Sequence, residues 1–249
     1  MRIVRFLWRD RVRWGVVEGD TIYGLRGRLW GEMGRGAELC PLGAVRLLAP
    51  VEPHSKVVGL GLTFRERGER DGPAMFMKQP TTNIGPMEPI VYPNVCSEVI
   101  HEAEVGLVIG RPACRVPASR AMEYVGGYTC VNDVTARSMK TSEGPDRSTR
   151  FKNFDTFCAI GPFIVTELDA QNTTIVCRVN SREAVRGNTR DMFWTMAEQI
   201  EWVTAVMTLM PGDIICTGCP AAGPLHIGDT VEVEVEGIGV LQNPVVAQL

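Results

Sequence analysis

Glu102-Ala-Glu104-Val-Gly-Leu-Val-Ile-Gly110 sets two acids one residue apart at the head of an apolar run. Further along, Asp133 follows a second apolar run, Tyr128-Thr-Cys-Val131. In a strand, side chains at i and i+2 project to the same face, so Glu102 and Glu104 would stand together. Two like charges at a buried edge repel each other and are costly to desolvate. A divalent cation removes that cost. A third carboxylate from a neighbouring strand, Asp133, would complete an all-oxygen site suited to Mg²⁺ or Mn²⁺. The competing reading is a polar strand edge facing water.

The surroundings favour the metal. Asp133 is followed by Val-Thr-Ala-Arg137, a spacing that could put acid and guanidinium on one helical face. Lys152-Asn-Phe-Asp-Thr-Phe157 and Ile160-Gly-Pro162 come next. Three acids, an arginine and a lysine suggest a metal together with an anionic substrate.

The ordered set of motifs resembles the fumarylacetoacetate hydrolase family. It comprises Glu102-Ala-Glu104, Val108-Ile-Gly110, Gly127-Tyr128, Asn132 to Arg137, Lys152 to Phe157 and Ile160-Gly-Pro162. Asn188-Thr189, Pro211-Gly-Asp213, Thr217-Gly-Cys-Pro220 and Glu236-Gly-Ile-Gly239 complete it. The likeness runs from about residue 56 to 246, and residues 1–50 are similar to the small N-terminal β domain of the shorter members. The resemblance implies a mixed α+β, β-rich fold: a small N-terminal β domain (1–50), then a large mixed β-roll or sandwich carrying catalysis (54–249). It also implies a homodimer, a small-molecule carboxylate substrate, and Mg²⁺ or Mn²⁺ held by Glu102, Glu104 and Asp133. Arg137 and Lys152 are the implied catalytic contacts to substrate oxygens, and Lys78 and Thr217 are implied substrate-binding positions.

The departures from the family pattern matter as much. In the family, the stretch matching Leu62-Thr-Phe-Arg-Glu-Arg-Gly-Glu-Arg70 usually carries a His and a Glu on a lid that activates water. Arg67 and Arg70 stand there instead. An arginine is permanently protonated and cannot act as a neutral base. Lys140 stands where many members have Gln, and Cys219 replaces the second Thr of a Thr-Gly-Thr-Pro turn. Arg67 is therefore expected in a catalytic role as a cation, and Arg70, Lys140 and Cys219 in substrate binding. The expected chemistry is a metal-stabilised enolate on a 2-oxo or β-dicarbonyl acid, leading to tautomerisation, decarboxylation or another non-hydrolytic step. Hydrolysis of a C–C bond is the alternative. A non-catalytic metal-binding scaffold is a third reading.

Composition bounds the rest. The chain has 249 residues, 45 % of them hydrophobic, and a net charge of −3. That is enough for one large domain and a small appendage, with no electrostatic case for nucleic acid or an anionic membrane. No apolar run is long enough to span a bilayer. Met1 to Asp10 is too interrupted by charge for a signal peptide, so a cytoplasmic location is expected. Eight cysteines include one Cys-x-x-Cys, Cys216 and Cys219. A zinc ribbon needs a second such pair, so buried reduced thiols are expected.

Local patterns predict strands at Ile3–Leu7, Gly15–Val17 and Thr21–Tyr23, with a linker over Leu47–Pro53. Residues 63–78 read as a charged short helix or a lid. Pro117–Val125 reads as a short helix closed by Gly126-Gly127, and 138–150 as a polar loop. The longest helix is expected from Asp191, as cap, to Leu209. Thr230 to Glu236 alternates strictly, valines inward and glutamates outward. His54 and His226 should be surface residues. His101 should point away from Glu102, as a core imidazole or in a supporting acid/base role.

Overall fold

The computed structural model describes residues 1–64, 72–139 and 147–249. Strands dominate them. The N-terminal segment gives β1 (Arg2–Trp8), β2 (Arg11–Glu18), β3 (Thr21–Gly27), β4 (Met33–Pro41) and β5 (Arg46–Leu48). Then follow β6 (Val57–Gly61), β7 (Ala74–Lys78), β8 (Asn83–Ile84), β9 (Ile90–Tyr92) and β10 (Val99–Ile109). After α1 (Ala118–Ala121) come β11 (Val125–Asp133), α2 (Arg147–Lys152), β12 (Cys158–Val165), β13 (Thr174–Val179) and β14 (Arg182–Asn188). The chain ends with α3 (Met196–Val206), β15 (Ile214–Cys216), β16 (Ala222–Leu225), β17 (Thr230–Val235) and β18 (Gly239–Ala247).

Two sheets pack together. The larger runs β4-β3-β2-β1-β12-β11-β10-β15-β6-β7, and the smaller runs β14-β13-β17-β18-β9. Their inner faces share one core. Ala103, Val105, Leu107 and Ile109 of β10 pack there with Ile175 and Cys177 of β13 and with Val231, Val233 and Val235 of β17. Each fully buried side chain of the Leu or Val type contributes about 1.5–3 kcal/mol. The opposite face of β10 looks into a second, smaller core of Val108, Val131, Cys158, Ile160, Ile214 and Cys216. Period-2 alternation puts Glu102, Glu104 and Gly106 on that second face. A β-carbon on Gly106 would lie 2.8 Å from the Val131 side chain and 2.9 Å from that of Thr129.

β10 changes partner on one of its edges. Its first half, Val99–Glu102, pairs with β16, Glu102 facing Ala222. Its second half, Gly106–Val108, pairs with β15, Gly106 facing Cys216. Between the two partners the chain turns through Thr217 to Ala221, directly beside Glu104.

Residues 1–50 continue the large sheet through β1, where Arg2 and Ile3 pair with Val165 and Ile164 of β12. The expected linker over Leu47–Pro53 starts inside β5, which pairs with β1, and Ala49 and Val51 are buried.

Several local expectations are corrected. The long helix spans Met196–Val206 and is capped by Thr195, whose side chain accepts from the Glu198 amide while the Glu198 carboxylate accepts from the Thr195 amide. That reciprocal box outcompetes Asp191, which closes a 3₁₀ turn instead. Gly126 and Gly127 do not close a helix but lie inside β11. A β-carbon on Gly126 would collide with Gly110 and Trp30, and one on Gly127 with Ile164. Ala74–Lys78 is a strand, not part of a charged helix. Asp133 and Arg137 do not share a helix, because Thr135 bridges back to Ile100. Residues 147–150 open α2 rather than extending a loop. The alternation of β17 is as expected, with Val231, Val233 and Val235 buried.

The cap gives a test. Thr195→Ala should lower stability by about 1 kcal/mol in urea or guanidinium unfolding with an unchanged m-value, the usual cost of a lost N-cap. No measurable loss would mean that packing alone holds α3.

Candidate functional site

Five charged side chains converge where β10, β11, β7 and the end of α2 meet. Lys152 Nζ lies 2.5 Å from Glu102 Oε2 and 2.5 Å from Asp133 Oδ2. Lys78 Nζ lies 2.7 Å from Asp133 Oδ1 and donates to the Val134 carbonyl at 3.3 Å. Glu104 Oε2 accepts from the Gly218 amide at 2.8 Å. Lys152 also sits over the Phe76 ring, 4.7 Å from its centroid. Glu104, Asp133, Lys78 and Lys152 are buried, and Glu102 partly so.

Burial and charge act against each other in this cluster. Burial pushes the Glu104 carboxyl well above its ordinary value, and the charges of Asp133 and Glu102 push the same way. Burial also raises Glu102, against the pull of Lys152. For Asp133 burial alone would raise the pKa, but Lys152 and Lys78 together overcome it and hold the carboxyl below its ordinary range. Lys152 is raised in return: burial alone would lower it, and Asp133 and Glu102 outweigh that.

With all three carboxyl groups ionised, the two ammonium groups would leave one negative charge uncompensated in a buried place. Glu104 is the acid without an ammonium partner among the described residues, and its environment disfavours its ionised form. Hard carboxylate oxygens form a donor set that fits a divalent cation such as Mg²⁺ or Mn²⁺, whose charge would favour the ionised form of Glu104. The ligand atoms of Glu102, Glu104 and Cys219 lie within 4.8 Å of one another; the expected third donor, Asp133, is outside that group, its two oxygens facing Lys78 and Lys152.

The cluster brings together Glu102, Glu104, Asp133, Lys152, Lys78 and Cys219. Thr217 lies behind it, its hydroxyl donating to the Val105 carbonyl at 2.9 Å. Arg137 stands apart, exposed, with Nε 3.9 Å from Glu98 Oε2. Arg67, Arg70 and Lys140 lie outside the described residues. Sequence reasoning missed Phe76, Asn132 and Gly218. Phe76 alternates with Lys78 in β7, a signal hidden by the charged-helix reading of that stretch. Asn132, next to Asp133, accepts from the Glu102 amide through Oδ1 at 3.1 Å and joins β10 to β11. Nothing local marks Gly218 as a donor to Glu104.

Residues 52–246 match the family model described as fumarylacetoacetate (FAA) hydrolase C-terminal. The chain belongs to the fumarylacetoacetate hydrolase family. Residues 1–50 match the model described as Rv2993c-like, N-terminal. A solved 5-carboxymethyl-2-hydroxymuconate delta-isomerase from Mycobacterium smegmatis is 40 % identical, with a TM-score of 0.93 over 100 % of both chains. A solved fumarylacetoacetate hydrolase from the psychrophile Exiguobacterium antarcticum is 31 % identical, TM-score 0.88, again over 100 % of both chains. A mitochondrial oxaloacetate tautomerase of Homo sapiens is 34 % identical over 223 residues, covering 83 % of this chain and 71 % of that one. Family members thus include isomerases, a tautomerase and hydrolases. Among the described residues, no helix is long and apolar enough to cross a membrane.

His101 lies on the other face of β10, fully buried, with Nδ1 3.2 Å from Cys177 Sγ. Burial lowers its pKa from 6.5 to about 4, so the folded chain keeps it neutral. The unfolded chain binds a proton there below pH 6.5 or so. The folded pKa being the lower one, His101's contribution to stability is full above the unfolded value. It is lost as pH falls toward 4, to a total of about 3 kcal/mol, and is flat below. His101→Asn should flatten that part of a pH series of urea unfolding curves. Equal slopes in both proteins would assign the dependence to other groups.

Proposed function

We propose that this chain is a divalent-metal-dependent enzyme that acts on an enolisable 2-oxo or β-dicarbonyl acid through an enolate, with tautomerisation, decarboxylation or another non-hydrolytic step favoured over hydrolysis. The observation that carries the reading is the buried cluster of Glu102, Glu104 and Asp133 with Lys152 spanning two of them. When bound there, a divalent cation supplies Lewis acidity that steadies negative charge on a carbonyl oxygen. Glu102, Glu104 and Asp133 would hold it.

The remaining steps belong to the chain itself. Lys152 is held in its charged form by two carboxylates, so it serves as a hydrogen-bond donor to a developing enolate oxygen and not as the base. Lys78 fixes Asp133 from the other side and keeps that carboxylate ionised. Arg137, exposed and facing Glu98, would have to turn its planar guanidinium away from that partner to meet a substrate carboxylate. The residues at 67 and 70 are both arginines, which can bind an anionic group but cannot accept a proton from water. That supports a non-hydrolytic step. The isomerase and tautomerase among the similar proteins support it further. The hydrolase supports the runner-up, in which another base serves the water.

The test pairs two measurements. Enol-to-ketone conversion of a 2-oxo diacid, followed by loss of the enol absorbance, should require Mg²⁺ or Mn²⁺ and vanish on chelation. Hydrolysis of simple acylpyruvates should be feeble, and Arg67→His with Arg70→Glu should raise it by at least about tenfold, equivalent to ~1.4 kcal/mol, while impairing the native reaction. Efficient hydrolysis by the wild type with no gain in the double mutant would overturn the non-hydrolytic reading.

A further inference from the structure

An oxygen-only metal site leaves the sulfur of Cys219 without a role, although it faces the same acids. Cys219 Sγ and the carboxylate oxygens of Glu102 and Glu104 lie within 4.8 Å of one another. Donors bonded to one small cation at ~2.1–2.3 Å are at most about 4.5 Å apart, so a slight side-chain rotation brings all three onto one ion. The position of the sulfur is set by a tightly held turn. The Thr217 amide and hydroxyl both donate to the Val105 carbonyl, at 3.1 and 2.9 Å. The Gly218 amide donates to Glu104 itself. Gly218 has φ +89°, and a side chain there would collide with the Thr63 hydroxyl, which in turn donates to the Thr217 carbonyl at 2.7 Å. The turn therefore delivers Cys219 to the acids in a fixed register with β10.

We propose that Cys219 is a ligand of the metal centre in this chain, and that its sulfur shifts the preference of the centre from Mg²⁺ toward thiophilic divalent ions such as Zn²⁺, Co²⁺ or Cd²⁺. The inference rests on the reading of Glu102 and Glu104 as metal donors. A threonine, the residue that the family turn usually carries here, offers a hard hydroxyl. A thiolate is a soft donor that selects a different set of ions at similar size. As the sulfur–metal bond forms, the thiol proton leaves to solvent, and neither sulfur nor metal changes oxidation state.

The experiment uses the full chain, stripped of metal and titrated with single ions. With Co²⁺, the wild type should develop a near-ultraviolet sulfur-to-cobalt charge-transfer band that is missing in Cys219→Thr and in Glu104→Gln. By calorimetry, Cys219→Thr should weaken Cd²⁺ binding at least about tenfold while changing Mn²⁺ binding by less than about threefold. If Mn²⁺ binds but the band and the Cd²⁺ affinity are the same in Cys219→Thr, sulfur is not a ligand, and the oxygen site stands without it. A band that survives Cys219→Thr comes from another thiol, such as exposed Cys114, and also overturns the proposal. If the wild type binds none of these ions, the metal reading of the whole cluster falls with it.

Discussion

The burial of three carboxyl groups against only two ammonium groups organises the centre of this molecule. Glu102, Glu104 and Asp133 stand on two neighbouring strands, and removing one partner from a buried ion pair typically costs 3–5 kcal/mol, as an order of magnitude. The compensating groups come from far apart in the chain. Lys78 arrives on β7 at the edge of the large sheet, and Lys152 at the end of α2. Asn153 ties those two carriers together, accepting from the Gln79 amide at 2.6 Å and donating to the Met77 carbonyl at 3.0 Å. The site is thus complete only when edge strand, short helix and central strands are all in place.

The break in the ladder beside Glu104 follows from strand pairing. β10 has eleven residues, longer than either of the partners on that edge, and it is shared between β16 and β15. Where one ends and the other has not begun, the edge of β10 is left to a turn. That turn supplies a backbone amide to Glu104 and a thiol to the cluster. Asp213 holds the start of β15, accepting from the Lys56 amide at 2.8 Å and the Met210 amide at 2.6 Å. At the other end of β15, Thr217 borders the gap and donates to the Val105 carbonyl through both its amide and its hydroxyl.

The acids were legible because their signal is local. A Glu-x-Glu pair at the head of an apolar run needs only period-2 alternation to predict a shared face, and the same rule placed His101 on the far face. Local rules failed where tertiary contacts choose between two local options. Two capping residues, Asp191 and Thr195, precede the long helix, and the reciprocal contact of Thr195 with Glu198 decides between them. Gly126-Gly127 has the pattern of a helix stop, yet its lack of side chains is required by Trp30, Gly110 and Ile164. The charge of the stretch before Lys78 concealed a strand, and with it Phe76. The pairing of Glu102 with Ala222 spans too much sequence for any local pattern to reveal, so the donor role of Gly218 was invisible.

The distribution of the site over the fold separates two kinds of change. The carboxylates lie on central strands whose opposite face is the main core, so replacing one of those residues with a different shape disturbs the sheet as well as the chemistry. The arginines at 67 and 70 fall in the sequence between β6 and β7, and Cys219 lies in a turn between two strands. On the proposed reading, substitutions at 67 and 70 would alter which protons can move, and one at 219 which ion is preferred. On the same reading, a chain of this family could keep its central carboxylates, and with them the affinity for a cation, while residues elsewhere in the sequence are rewritten for a different reaction.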